Sequence, residues 1–358
     1  VVMMVAPRSA FLLAFVALAA AACADAPARP PAPPRDDAVP DLAGAGATFP
    51  YPVYTRWFTR HLERTGERIT YRSIGSAAGV RALIAGETDF AATDVPLDSA
   101  ERRALALRDV RLVPMVVGGV AVTYHLPDAR TALRLEGTTL ADILLGRITR
   151  WDDARVAALN PDLDLPAAPI RVVHRADTSG TTYIITDYLS RVSADWAAGP
   201  GRGRAVAWPV GQGERGNEAV AAAVKTTPYT IGLVEAVYAM QTRLPAARIR
   251  NHAGAWVTPQ TGNLREAAAA MLPSVDDTIE FATSIADAPG AASYPIASLS
   301  WLVVPWAGAR DAARAASTAP FVRWALAEGD ADALALGYAP LPPDMRRRVL
   351  AALAPAPR

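Results

Sequence analysis

Cysteine is almost absent from this chain of 358 residues: Cys23 stands alone. One thiol cannot build an internal disulfide framework or a Cys-rich zinc site, so both are excluded. Histidine is nearly as scarce, and His61, His125, His174 and His252 are scattered with no H-E-x-x-H pair to seat a metal. Net charge is lacking too. The 36 Lys plus Arg against 35 Asp plus Glu leave +1, so no bulk field recommends nucleic acid, whose binders carry a basic patch. Nearly all the positive charge is Arg, with Lys225 the one lysine. A membrane span needs ~20 apolar residues, and the apolar run from Phe11 stops at Ala22. There is no internal repeat.

What is present bounds the protein further. At 51% hydrophobic and 20% charged, the composition suits a sizeable core, and the length fits two domains or lobes better than one. Residues 1–22, with Arg8 ahead of the apolar run and small residues at its end, read as a secretory signal peptide. Cys23 follows Ala20-Ala21-Ala22 directly. A bacterial lipoprotein signal places its cleaved and acylated cysteine there, although the usual Leu three residues earlier is Ala here. The alternative is ordinary cleavage after an Ala-x-Ala site, which leaves no anchor. Residues 23–40 carry Pro27, Pro30, Pro31, Pro33, Pro34 and Pro40 and no apolar period, as expected of an extended tether reaching on the order of 50 Å. Removing residues 1–22 takes away Arg8 and no acid, leaving the remainder neutral.

From Asp41 onward short apolar runs alternate with helical periods, the pattern of a layered α/β protein. Strands are expected at 69–73, 89–93, 111–117, 120–124, 170–174, 230–234 and 298–304, and helices at 51–63, 77–85, 99–107, 139–145, 152–159, 181–192, 218–225, 312–327 and 344–352. Strands separated by such helices predict parallel pairing. Asp98 and Glu101 make a capping box for the third helix. The alanine-rich stretch 266–270 reads as low complexity.

Four segments place small polar residues and glycines where a helix should begin: Ala47-Thr48-Phe49, Ile74-Gly75-Ser76, Ala92-Thr93-Asp94, and Arg175 to Thr182. A helix start has unpaired N–H groups and about half a positive charge, so several converging starts make an anion cradle without lysines. Taken singly, each is also explained by ordinary capping. Arg175 and Asp177 sharpen the last one, because a guanidinium can fork onto an oxyanion while a carboxylate two residues on holds it in place. A predicted strand runs straight into Arg175, and ligands of open α/β sheets sit at that end of the strands.

The stretches Gly44 to Pro50, Ile74-Gly75-Ser76, Thr88 to Asp94, Ile148 to Asp153, Arg175 to Thr181 and Ile231 to Glu235 occur in order and at suitable spacing. Together they resemble the substrate-binding protein of the bacterial phosphate ABC transporter, over roughly Leu42 to Val304. The resemblance implies a two-lobed periplasmic-binding-protein fold of type II, each lobe a sheet flanked by helices, joined by a hinge of crossing segments. It implies lobe I over 41–118 and 248–358, and lobe II over 119–247. Matched residue by residue, it implies phosphate contacts at Thr48, Phe49 (by its backbone N–H), Ser76, Arg175, Ser179, Gly180 and Thr181. Asp94 matches the carboxylate that accepts a proton from phosphate, and Asp177 the partner that orients Arg175. Departures lie beside these positions. Ala77 and Ala78 stand where the family usually has Ser and Gly, removing one secondary hydroxyl, and Thr178 stands for a Gly, narrowing the backbone freedom of its loop.

Asp94 carries a physical argument of its own. A carboxylate aimed at an anion repels it unless the anion brings a proton, and near neutral pH phosphate keeps one where sulfate keeps none. Such sites can discriminate by roughly 10⁴. The competing assignment is a helix cap ahead of Pro96. Gly211-Gln212-Gly213-Glu214-Arg215-Gly216 is a literal G-x-G-x-x-G with Glu235 about 20 residues on, yet Trp208-Pro209 interrupts the strand before it, so it reads as a loop. His174, on an apolar strand, reads as structural.

The expectation is therefore a binding protein and not an enzyme, with no cofactor and no metal. It captures inorganic phosphate outside the cytoplasmic membrane and delivers it to ABC transporter permease subunits with their ATPase. It touches the membrane through a lipid on Cys23, and works as a monomer without nucleic acid. The alternatives are a binder of sulfate or molybdate, and a phosphatase-type enzyme using the same cradle.

Overall fold

The computed structural model describes residues 42–106, 110–127, 129–272, 283–305 and 312–353. The signal segment, Cys23 and the stretch 23–40 lie outside the described residues. The first half of the chain forms β1 (Leu42–Gly46), α1 (Tyr51–Thr65), β2 (Ile69–Ser73), α2 (Ser76–Ala85), β3 (Phe90–Thr93), α3 (Ser99–Ala106), β4 (Val110–His125), β5 (Arg134–Leu135), α4 (Gly137–Leu144), α5 (Ala154–Leu159) and β6 (Arg171–Arg175). There follow α6 (Gly180–Val192), α7 (Ala194–Ala198), β7 (Gln212–Glu214), α8 (Gly216–Thr226), β8 (Thr230–Glu235), α9 (Ala236–Thr242), β9 (Arg248–Arg250), β10 (Trp256–Val257) and α10 (Thr261–Ala270). The last elements are β11 (Ala297–Pro305), α11 (Ala312–Glu328), α12 (Asp330–Ala335) and α13 (Pro343–Ala352).

Eight strands form one sheet in the order β2-β1-β3-β11-β4-β8-β6-β7, and β10-β9-β5 form a second. Parallel pairing, predicted from the alternation of strands and helices, holds at both ends of the large sheet, for β1 with β2 and β3 and for β6 with β7 and β8. It fails in the middle, where β11 runs antiparallel to β3 and β4, and β4 antiparallel to β8. The middle strand β11 comes from far along the chain, so no short βαβ crossover dictates its direction.

Strand β4 was expected as two strands broken at Gly118-Gly119. It is one strand of 16 residues. Its first part, to Gly119, pairs with β11, and from Val120 it pairs with β8, so one strand passes from one half of the sheet to the other. The glycines do not break it. A Cβ at Gly118 would come within 2.0 Å of the Phe49 ring, and at Gly119 within 2.8 Å of the Ile296 carbonyl oxygen.

Helix α1 shows how the layers close. Val53, Tyr54, Trp57, Phe58 and His61 recur at helical spacing and are buried on one face. Phe58 meets Tyr71, Phe90 and Phe321 at ring distances of 6.1, 6.2 and 5.3 Å. Each such pair adds ~0.5–1.5 kcal/mol beyond area burial. The expected capping box is present: the Asp98 N–H donates to Glu101 Oε2 at 2.9 Å and the Glu101 N–H to Asp98 Oδ1 at 2.8 Å. The alanine-rich stretch forms the second half of α10, with Ala267 and Ala268 buried beside Leu264. Among the described residues no helix is long and apolar enough to cross a membrane.

Candidate anion-binding site

The carboxyl ends of β1, β2, β3 and β6 carry the segments singled out by their hydroxyls and glycines. Three lead directly into helices: α1 begins at Tyr51, two residues past Phe49; α2 begins at Ser76; α6 begins at Gly180. The fourth expectation is corrected. Ala92-Thr93-Asp94 ends β3 and does not start a helix, since α3 begins only at Ser99 and is capped by Asp98. Asp94 is therefore not a helix cap.

On the first side of the site, Phe49 is buried, its ring turned to Tyr338 and its carbonyl accepting from the Tyr338 hydroxyl at 2.6 Å. Only its backbone remains to face a ligand. The Thr48 carbonyl accepts from the Tyr238 hydroxyl at 3.5 Å. Gly75 precedes α2 with φ of 90°, a conformation that L side chains avoid, and it turns the chain so that Ser76 enters the interior. Ser76 is 1% exposed, and its hydroxyl donates to Oδ2 of Asp94 at 3.4 Å and accepts from the Asp94 N–H at 3.2 Å.

On the second side, strand β6 delivers a buried Arg175. Its Nε donates to Oδ1 of Asp177 at 2.6 Å and its Nη2 to Oδ2, a bidentate fork that fixes the guanidinium plane. Its Nη1 donates to the Thr181 hydroxyl at 3.4 Å. Partial burial alone would raise the Asp177 carboxyl, but the forked Arg175 outweighs it and the group lies below its ordinary value. Asp177 also accepts from the Gly216 N–H at 3.3 Å. Ser179 does cap α6, accepting from the Thr182 N–H at 3.0 Å, as the capping assignment expected.

The two sides meet. A Cβ on Gly180 would come within 2.5 Å of Oδ2 of Asp94, so the start of α6 lies directly against that carboxylate. A Cβ on Gly75 would come within 3.3 Å of the Thr178 carbonyl oxygen. Ser76, Asp94, Gly180, Thr181, Arg175 and Asp177 thus form one connected group, while the contacts of Thr48 and Phe49 run to Tyr238 and Tyr338 instead. Burial pushes the Asp94 carboxyl up to about 7, against the Ser300 and Ser76 hydroxyls and the charges of Arg175 and Arg204, which pull it down.

Four further residues belong to this neighbourhood; sequence singled out none of them for it, and noted Glu235 only beside the glycine-rich stretch. Ser300 donates to Oδ1 of Asp94 at 2.8 Å. Its signal was available: Ser298 and Ser300 alternate on an otherwise apolar, wholly buried strand. Arg204 donates to Glu101 and, through its carbonyl, accepts the Ser179 N–H at 2.8 Å. Asn217 Oδ1 accepts from the Thr181 hydroxyl at 3.3 Å and from the Glu235 N–H at 3.1 Å. Glu235, wholly buried, is pushed well above its ordinary value by burial, and caps α9 through the Val237 N–H at 3.1 Å. A ribose could not reach it. The G-x-G-x-x-G stretch is itself the short edge strand β7, with Gly216 opening α8, and so not the turn between a strand and a helix that a dinucleotide loop requires. His174 stacks on Trp208 at 4.6 Å and burial lowers its pKa, as a structural histidine. Among the described residues no three His, Cys, Asp or Glu side chains cluster closely enough to hold a metal.

The profile of the PBP superfamily domain matches residues 30–328. The phosphate-binding protein PstS of Xylella fastidiosa (strain Temecula1) is 38% identical over 309 residues, covering 86% of this chain and 83% of that protein. The chain belongs to the PstS family of phosphate-binding proteins. The PstS of Pasteurella multocida is 37% identical over 311 residues, covering 87% of this chain and 89% of that protein. In fold, the PstS-family chain superposes with a TM-score of 0.69 on a high-affinity periplasmic phosphate-binding protein solved with phosphate, at 20% identity over 87% of this chain and 93% of the other. The mixed sheet flanked by helices is thus the α/β periplasmic-binding-protein fold.

Proposed function

We propose that the protein captures inorganic phosphate outside the cytoplasmic membrane and hands it to ABC-type permease subunits with their ATPase, binding without chemical conversion. Membership of the PstS family supports this reading, and one observation carries it to the residues: a buried Arg175, forked by Asp177 and bonded to Thr181, and the buried carboxylate of Asp94, against Gly180, both stand at the start of α6. The arginine and the N–H groups at the start of α6 attract a tetrahedral anion, joined by the hydroxyls of Thr48, Ser76, Ser179 and Thr181 and the Phe49 N–H. Asp94 admits only an anion that brings a proton.

The two halves of the sheet act as lobes, 41–118 with 248–358 and 119–247, that hinge where β4 and its neighbours cross. Ligands come from both, so phosphate favours the closed form and the permease reads that form. Cys23 carries the lipid that holds a monomer to the membrane through the tether. Mass spectrometry of the membrane fraction should find Cys23 acylated; a mature N-terminus beyond it ends the anchor proposal.

The decisive experiment is isothermal titration with phosphate and competition by sulfate at pH about 8, where Asp94 is charged. Phosphate should bind tightly and sulfate should fail to displace it. Equal displacement by sulfate removes the role assigned to Asp94, and steady release of phosphate from a phosphomonoester would make the protein an enzyme instead.

A further inference from the structure

Strand β11 contributes to the site a residue that no motif marks. The register pairing Trp301 with Thr93 and Leu302 with Ala92 continues one step to set Ser300 across from Asp94. Ser300 is wholly buried, and its hydroxyl donates to Oδ1 at 2.8 Å. Ser298 lies two residues earlier, on the same face of the strand, but its hydroxyl reaches only main-chain carbonyls, that of Leu299 at 3.0 Å and that of Asp94 at 3.4 Å. The ladder between β11 and β4 is irregular at this point: Ser300 pairs with Val116 and Trp301 with Pro114, leaving Met115 extra. Such a bulge re-aims the side chains beside it. The other carboxylate oxygen, Oδ2, faces Ser76 and Gly180.

We infer that Ser300 is a positioning residue that sets anion specificity: by engaging Oδ1 it fixes the Asp94 carboxylate in its charged form and leaves Oδ2, on the Gly180 side, to accept the proton of the bound anion. The inference rests on the phosphate reading above.

The groups around Asp94 explain why one hydroxyl matters. Ser76 faces it from α2, Tyr54 from α1 and Tyr71 from β2; Arg175 and Arg204 face it from the far side, Glu235 from the start of α9 and Tyr338 from beyond α12. Burial raises Glu235 and the tyrosines, disfavouring a second negative charge beside Asp94. Against the burial of Asp94 stand two hydroxyls and two arginines, and the Ser300 hydroxyl is the foremost of them. Once protonated, Asp94 presents a donor where it had presented a lone pair. A fully deprotonated anion such as sulfate then meets a hydrogen bond instead of repulsion. Selectivity should therefore fail on the acid side of the Asp94 titration, and Ser300 decides where that side begins.

The test measures phosphate and sulfate binding by isothermal titration from about pH 5 to about pH 9, for the wild type, Ser300→Ala, Ser300→Cys and Ser298→Ala. Phosphate should bind throughout, with sulfate binding emerging as pH falls. Ser300→Ala should move the midpoint of that emergence up by about one pH unit, about tenfold in sulfate affinity at fixed pH. Ser300→Cys, a weaker donor, should fall between, and Ser298→Ala should leave the midpoint in place. An unmoved midpoint in Ser300→Ala, or an equal shift in Ser298→Ala, overturns the proposal. Should Ser300→Ala not fold, the carbon-13 shift of the Asp94 carboxyl is followed in ligand-free wild type and Ser300→Cys, and equal midpoints overturn it as well. That titration needs no ligand, so a wild type that binds no phosphate at all would defeat the phosphate reading without touching the effect of Ser300 on Asp94.

Discussion

The Arg204 guanidinium forks onto the Glu101 carboxylate, Nη1 to Oε1 at 2.7 Å and Nη2 to Oε2 at 3.0 Å, with both side chains largely buried. The two residues are 103 positions apart. Glu101 also closes the capping box of α3, and the Arg204 carbonyl holds the N–H of Ser179. One ion pair therefore ties the β3 side of the site to the loop that starts α6. Arg204→Ala should weaken phosphate binding about tenfold, ~1.4 kcal/mol, mainly through faster release. Stopped-flow release rates check this; unchanged release would show that the pair does not hold the two sides together.

Arg175 and Asp177 act as one unit. Arg175→Lys keeps the charge but loses the planar fork on Asp177 and the reach to Thr181. Calorimetry should show phosphate affinity falling by about 100-fold, ~2.7 kcal/mol. Asp177→Asn should cost less, about tenfold, ~1.4 kcal/mol, because the guanidinium stays but is less well held.

Gly180 leaves room for Asp94. In Gly180→Ala the added Cβ would come within 2.5 Å of Oδ2, so the two sides could no longer meet. Alanine at the start of a helix is otherwise favourable, by up to ~1 kcal/mol. If the two sides part to relieve the contact, the variant should keep its melting temperature while losing phosphate binding by about 100-fold, ~2.7 kcal/mol. A joint loss of both would assign Gly180 to folding alone.

Asp94 makes stability depend on pH. Its carboxyl titrates at about 7 in the folded chain against 3.8 ordinarily, because of its burial. Between those values the folded state holds a proton that the unfolded state has released, so ligand-free stability falls as pH rises through this window. Asp94→Asn removes the buried charge. Its melting temperature should match the wild type near pH 5 and exceed it near pH 8, by about 2–4 °C for each kcal/mol regained. Calorimetric scans at the two pH values decide it, and a gap of equal size at both would refute the burial argument.

Much of the fold was legible. Strand β2 has the bounds its alternation predicts, and α1, α2, α6 and α13 begin within one residue of their expected starts, because helix starts are written locally in caps and turns. Strand β1 was not legible. Leu-Ala-Gly-Ala-Gly lacks β-branched residues, and it is extended because it lies between β2 and β3, with the Phe90 ring filling the place of a side chain on Gly44. Reading Gly118-Gly119 as a break failed for the same kind of reason: the Phe49 ring and the Ile296 carbonyl demand the glycines there.

The sequence by itself determined the local chemistry: hydroxyls ahead of three helices, and an arginine followed two residues later by the carboxylate that orients it. Only the tertiary structure decided what Asp94 meets. Ser300, 206 residues away, reaches one of its oxygens, and Gly180 stands against the other. Cross-strand register and desolvation are sums over residues remote in the chain, and no short motif can record them.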